Sequence, residues 1–243
     1  MSELERIEAL EREIRELKGL NSEGIPTYSF SKIKIEELHS LVDINLGFNK
    51  NIFDIWFQNS IDISKDTEIF LLDLIEKNSY LIKSYNEEDL KIKFITRLLN
   101  YIDFQSYEDN FREFYELVIS YKTDKFIFSG TTDFVVSKGL LYSQKPYFFI
   151  QEFKKGIQGS DPEPQLLAEL ISAVELNNET TMKGAYIVGA IWNFVILEKL
   201  GKHKYQYFVS QNFDSTKIED LKGIYRNLMF VKDEIIEKIR EED

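Results

Sequence analysis

Two apolar runs, residues 126–136 and 147–153, constrain this chain more than any other feature. Both read as strands, and the connection between them, with Gly139 inside and Pro146 at its end, is short enough for a β-hairpin. The first run carries Asp133. The second carries Glu152, with Lys154 just beyond it. Residues two apart on a strand share a face, so Glu152 and Lys154 emerge side by side. Once the runs pair, Asp133 lies next to them on the neighbouring strand. Two carboxylates and an ammonium converging on one spot are costly unless something is bound between them. A divalent cation held by the carboxylates, with the lysine beside a water, relieves that cost and makes a hydrolytic centre. A buried Glu–Lys ion pair is the purely structural alternative.

Composition narrows the chemistry to the same place. The 243 residues suffice for one sizeable domain with appendages, and 19 Phe and 13 Tyr can fill its core. Without cysteine there is no thiol nucleophile, disulfide framework or thiolate metal site. His39 and His203 are the only histidines and stand in different segments, which nearly excludes histidine metal pairs and Ser-His-Asp triads. Carboxylate chemistry with a hard metal ion remains. No apolar run is long enough to span a bilayer and the N-terminal residues are charged, so the expectation is a cytoplasmic protein with no membrane partner. A net charge of −12 argues against a strong non-specific grip on nucleic acid. Lys138, Lys145, Lys154 and Lys155 near the candidate site offset it locally.

Taken in order, residues 2–18 favour a helix with Ile7, Leu10, Ile14 and Leu17 at coiled-coil spacing. That segment is read either as a helix packed on its own domain or as a homodimerisation helix over residues 4–17. Residues 1–20 are therefore set apart from a domain over 21–243. The run 48–57, rich in aromatics, reads as a structural anchor around Trp56. Ser64 caps an expected helix over 65–77, and a second follows over 87–101 with Leu90, Phe94, Ile95, Leu98 and Leu99 on its apolar face. Glu87 and Glu88 lie at opposite margins of that face. Residues 111–120 read as a helix or a first strand, with Glu116 a minor site candidate. After the hairpin comes a helix over 163–176, with Asp161 as cap and Gln165 in its first turn. Residues 185–188 and 192–197 are two strands flanking Gly189, or one strand with a bulge there. Residues 204–210 form another strand after a turn at Gly201-Lys202. Ser215 is the expected cap of a last helix over 216–240, with a break expected near Gly223. The fold class is thus α/β or α+β, three layers around a mixed central sheet.

An acidic residue, a gap, then acidic-x-Lys at the end of the next strand resembles the pattern of the PD-(D/E)XK nuclease superfamily. Asp133 supplies the first half and Glu152-Phe153-Lys154 the second, with Thr132 where the family has proline. Residues 85–230 look most like the nuclease domain at the amino terminus of type I restriction enzyme motor subunits. The resemblance implies a restriction-endonuclease-like three-layer domain and a Mg²⁺ ion, with Mn²⁺ as substitute. The ion would be held by Asp133, Glu152 and the backbone carbonyl of Phe153. In the family a helical Glu often completes the site. Spacing to the Ile95–Leu99 run favours Glu87 for that part, with Glu88 the alternative, and both also suit the helix dipole. The resemblance makes Lys154 the residue that positions or helps deprotonate the attacking water and stabilises phosphate charge, and Gln165 the polar residue that orients Lys154 or the water. The implied function is metal-dependent hydrolysis of nucleic acid, DNA first, with restriction or phage defence as the analogous role. The alternatives are a catalytically silent nuclease fold serving as a binding or assembly subunit, and a domain acting on small phosphoesters.

Overall fold

The computed structural model describes residues 24–49, 51–154 and 161–242. The heptad-like segment, its proposed dimer contact and Lys155 lie outside the described residues.

Alternation of apolar and polar residues along the strands builds one mixed sheet of nine strands. In chain order these are β1 (Thr27–Ser29), β2 (Asp43–Leu46), β3 (Phe111–Lys122), β4 (Ile127–Lys138), β5 (Gln144–Lys154), β6 (Thr181–Val188), β7 (Ile191–Gly201), β8 (Lys204–Val209) and β9 (Phe213–Asp214). Their spatial order is β1-β4-β5-β6-β7-β8-β2, with β3 on β4 and β9 on β7. Pairings β1–β4, β5–β6 and β2–β8 are parallel; the others are antiparallel.

The helices are α1 (Ile35–Leu41), α2 (Asp54–Phe57), α3 (Lys65–Asn78), α4 (Glu87–Leu90), α5 (Thr96–Ile102), α6 (Pro162–Asn177) and α7 (Ile218–Glu242). A π-helical turn, Lys91–Ile95, joins α4 to α5. Both faces of the sheet are covered. Phe134, Phe149 and Phe153 point into one core with α3, α4, α5 and α7. Val135 and Ile150, one residue out of phase, point into the other with α6. By the same period of two, Asp133 and Glu152 belong to the α6 face. Trp56 anchors α2 as expected, almost fully buried, with Nε1 donating to the carbonyl of Asn227 on α7 at 2.8 Å.

Side-chain caps close three of the helix starts, α3, α4 and α6. Ser64 accepts from Thr67 N–H and Asp161 from Glu163 N–H, as their sequence positions predict. Two open alternatives are decided: residues 111–120 are strand, paired with β4, and two strands flank Gly189, which at φ +59° lies in the tight turn of a hairpin whose last pair is Val188–Ile191. Other expectations need correction. The next turn falls at Lys202-His203 rather than Gly201-Lys202, since β7 runs on through Gly201. Ser215 does not cap the last helix. Its hydroxyl donates to Ala190 O at 2.8 Å, tying the β6–β7 hairpin down, and α7 starts at Ile218. That helix passes Gly223 unbroken, and packing on Phe213 supports it there.

Gly184 sets how closely α6 approaches the sheet. A Cβ there would stand 2.8 Å from the carbonyl oxygen of Ile150 and 3.0 Å from Leu170 Cδ2 on α6. Gly184→Ala is therefore expected to push α6 off β5 and β6 and cost about 1–3 kcal/mol. Thermal unfolding should read a midpoint lower by about 2–4 °C per kcal/mol lost. An unchanged midpoint would mean that α6 is not seated this tightly.

Candidate functional site

The site sits where β5 parts from β4. β3 holds one edge of β4 from Phe111–Lys138 to Lys122–Ile127. The other edge is shared: β1 pairs with residues 127–129 and β5 with the region from Phe134 onward. Between them, among the described residues, 130–133 have no strand on that side. Beyond the Phe134–Gln151 pair, Asp133 does the work of a strand. Its Oδ2 accepts the Phe153 N–H at 2.8 Å across the widening gap. Its Oδ1 accepts from Lys91 Nζ at 2.6 Å, from the first residue of the π turn.

Glu152 and Lys154 follow on the other side of the gap, paired at 2.6 Å between Nζ and Oε1. From α6, Gln165 Nε2 donates to Glu169 Oε1 at 3.1 Å, one helical turn on. Glu169 is fully buried and within electrostatic reach of Glu152, Asp133 and Lys154. Glu87, half-buried at the start of α4, acts on Lys91 and Lys154. Glu116 on β3 reaches Lys91 at 3.4 Å.

The structure thus brings together Asp133, Glu152, Lys154 and the Phe153 N–H, with Glu87 within electrostatic reach and Gln165 joined through Glu169. Glu87 is half-buried and Glu88 exposed. Gln165 Nε2 is engaged by Glu169 rather than by Lys154, which adds a third carboxyl to the group. Two members escaped the sequence reading. Glu169 interrupts the apolar run Leu166-Leu167-Ala168-Glu169-Leu170-Ile171, and a lone acid at such a position was the available signal. Lys91 lies on the same side of its helix as Phe94 and Ile95, so a cation stood within the apolar stripe itself.

Charge does not balance in this cluster. The side chains of Glu152, Asp133, Lys154 and Lys91 are 1%, 11%, 15% and 18% exposed, and Glu169 is buried completely. Three enclosed carboxyls face two ammoniums. Burial first, then Asp133, pushes the Glu152 carboxyl up to about 8 despite Lys154. Burial, then Glu152, holds Glu169 well above the carboxylate range. Burial pulls Lys154 down, but Glu152, Asp133 and Glu87 outweigh it and leave the ammonium above its ordinary value. Lys91 is likewise depressed by burial yet raised on balance by Asp133, Glu116 and Glu87. The lysines keep their protons, and the carboxyls give way.

Orphaned atoms mark what the cluster lacks. Glu152 Oε2, Glu169 Oε2 and Gln165 Oε1 are buried without a hydrogen-bond donor. All three are oxygens, the ligand atoms that suit Mg²⁺, though Glu152 and Glu169 must first release the protons that burial favours. Among the described residues no three His, Cys, Asp or Glu side chains form a ready-made metal cage. Mg²⁺ does not demand one, since it commonly takes one or two carboxylates and retains waters. The residues therefore fit a hard divalent ion.

A raised carboxyl lowers stability as pH rises. The native protein holds the Glu152 proton up to about pH 8, whereas the unfolded chain releases it near 4.5. With chelator present, stability is expected to be greatest below the unfolded value and to fall as pH climbs from about 5 to 8. Glu152→Gln should flatten that decline and raise the midpoint at pH 8. A midpoint with the same pH slope in wild type and variant would contradict this electrostatic picture.

No protein-family model matches the chain and no curated protein matches it, so its functional reading rests on the geometry of this cluster.

Proposed function

We propose that the chain is a metal-dependent phosphodiesterase acting on nucleic acid, with DNA the first substrate to test. One observation carries the reading. Three buried oxygens without donors lie among a strand-borne Asp, Glu and Lys that enclose more acid than base. Asp133 and Glu152, with Glu87, Glu169 and the Phe153 carbonyl in support, are the groups that would hold a Mg²⁺ or Mn²⁺ ion. Such an ion supplies charge neutralisation at a phosphate and lowers the pKa of a bound water.

The protein's own part follows from the side chains. Lys154 stays protonated beside Glu152, so it can hold an attacking water and offset charge on a phosphate oxygen. Gln165 fixes the rotamer of Glu169, which keeps that carboxyl facing Glu152. The Phe153–Asp133 hydrogen bond locks Asp133 to the strand that bears the Glu-x-Lys. The net charge of −12 requires DNA to be met by a local basic surface or by a partner.

A second reading, a silent nuclease fold used for assembly, draws on the fact that both Asp133 oxygens already have donors. Titration calorimetry with Mn²⁺, followed by digestion of plasmid and single-stranded DNA, separates the two. Wild type is expected to bind Mn²⁺ and to cut only in its presence. Asp133→Ala, Glu152→Ala and Lys154→Ala should each lose about 10²-fold or more in rate while remaining folded. Full activity in purified Lys154→Ala would end the mechanism, and no Mn²⁺ binding by wild type would favour the assembly role.

A further inference from the structure

Lys91 has no part in the Asp and Glu-x-Lys pattern, yet it makes the shortest contact to Asp133, at 2.6 Å. Three features show that this contact is built rather than incidental. Lys91 opens the π-helical turn, a helix irregularity that is frequent at functional sites. Its ammonium lies 5.9 Å from the Phe153 ring centroid, so it stands over the same strand end as the Glu-x-Lys. Opposite it, Glu116 takes φ +52° in mid-strand while the pairs on either side, Tyr115–Phe134 and Leu117–Thr132, stay in register. A left-handed glutamate in a strand is strained. Here the strained residue sets an acceptor 3.4 Å from Lys91, on a side chain that is 67% exposed.

Resting on the metal-dependent reading above, we propose that Lys91 is a positioning residue that serves as the internal counter-ion of Asp133. It holds Oδ1 while no divalent ion is bound and passes to Glu116 when one arrives. The ammonium and the incoming ion compete for the same carboxylate oxygen. Lys91 therefore keeps the cluster folded without metal, at the cost of weaker metal binding. Glu116 gives the displaced ammonium a second acceptor, close enough that only side-chain torsions need change.

The test is Mn²⁺ calorimetry together with thermal unfolding in chelator, on wild type, Lys91→Met, Lys91→Arg and Glu116→Gln. Lys91→Met is expected to melt lower than wild type in chelator, to bind Mn²⁺ roughly tenfold tighter, and to regain its midpoint on adding Mn²⁺. Lys91→Arg, which keeps the charge, should restore near wild-type affinity. Glu116→Gln, altered at an exposed side chain, should melt like wild type yet bind Mn²⁺ a few-fold more weakly, and it serves if Lys91→Met fails to fold. Equal or weaker Mn²⁺ binding in Lys91→Met, or unchanged binding in Glu116→Gln, would overturn the exchange while leaving the nuclease reading intact. Absence of Mn²⁺ binding in every variant and in wild type would overturn both.

Discussion

The hydrogen bond from Phe153 N–H to Asp133 is the contact on which the arrangement depends. Strands β4 and β5 stop pairing at Phe134 and Gln151, and β5 continues alongside β6 alone. An opening in a sheet leaves backbone donors without acceptors, and a buried unpaired N–H costs about 1–3 kcal/mol. Asp133 fills that role with a side chain. In doing so it brings a carboxylate into the plane of the sheet, where helices from either layer can reach it. Lys91 arrives from the π turn packed on one face and Glu169 from α6 on the other. A regular ladder would have kept the two layers apart.

Joining the layers concentrates charge, and the electrostatics follow from counting. Two ammoniums cannot satisfy three enclosed carboxyls together with Glu87 and Glu116 at the rim. Removing a charge from water costs several kcal/mol unless good geometry compensates. The protein meets that cost with protons: Glu152 and Glu169 carry raised pKa values, while both lysines remain charged. Gly184 matters for the same reason. Its missing side chain lets α6, the helix that carries Glu169, sit close against β5 and β6.

Much of this was legible because strand periodicity is strict. The alternation in residues 147–153 put Glu152 and Lys154 on one face, and a short connection made the antiparallel partner carry Asp133 to the same place. Asp161 and Ser64 were readable because an N-cap is a local hydrogen bond. What stayed hidden depended on distance in space. Ser215 looked like a cap, but a carbonyl in the β6–β7 turn claimed its hydroxyl. That Glu87, and not Glu88, turns toward Lys91 and Lys154 needed the direction of α4 relative to β5. Lys91 and Glu169 were hidden differently: each sat inside an apolar stripe, where attention goes to the hydrophobic residues and a lone charge passes as noise. A charged residue in such a stripe has to find a partner, and Lys91 found Asp133 on the sheet while Glu169 found Gln165 one turn away on its own helix.

A cluster kept only for stability would be expected to look different. Buried polar networks stabilise when every member is satisfied, and a partly satisfied one is worse than an apolar core. Elsewhere on the same sheet face the protein follows that rule. Glu175 is fully engaged by Lys199 at 2.8 Å and the Tyr205 hydroxyl at 2.6 Å, and Glu163 accepts from Tyr186 and Tyr207. Around Asp133 the rule is broken at Glu152 Oε2, Gln165 Oε1 and Glu169 Oε2, and again at the neighbouring Gln151, whose Oε1 and Nε2 both lack partners. The same fold that pairs its carboxylates carefully a few residues away leaves these open. Strain at Glu116 and the π turn at Lys91 add cost at the same spot. Unmet oxygens, a strained glutamate and a helix irregularity gathered around one carboxylate are the observations on which the proposal of a cation ligand rests.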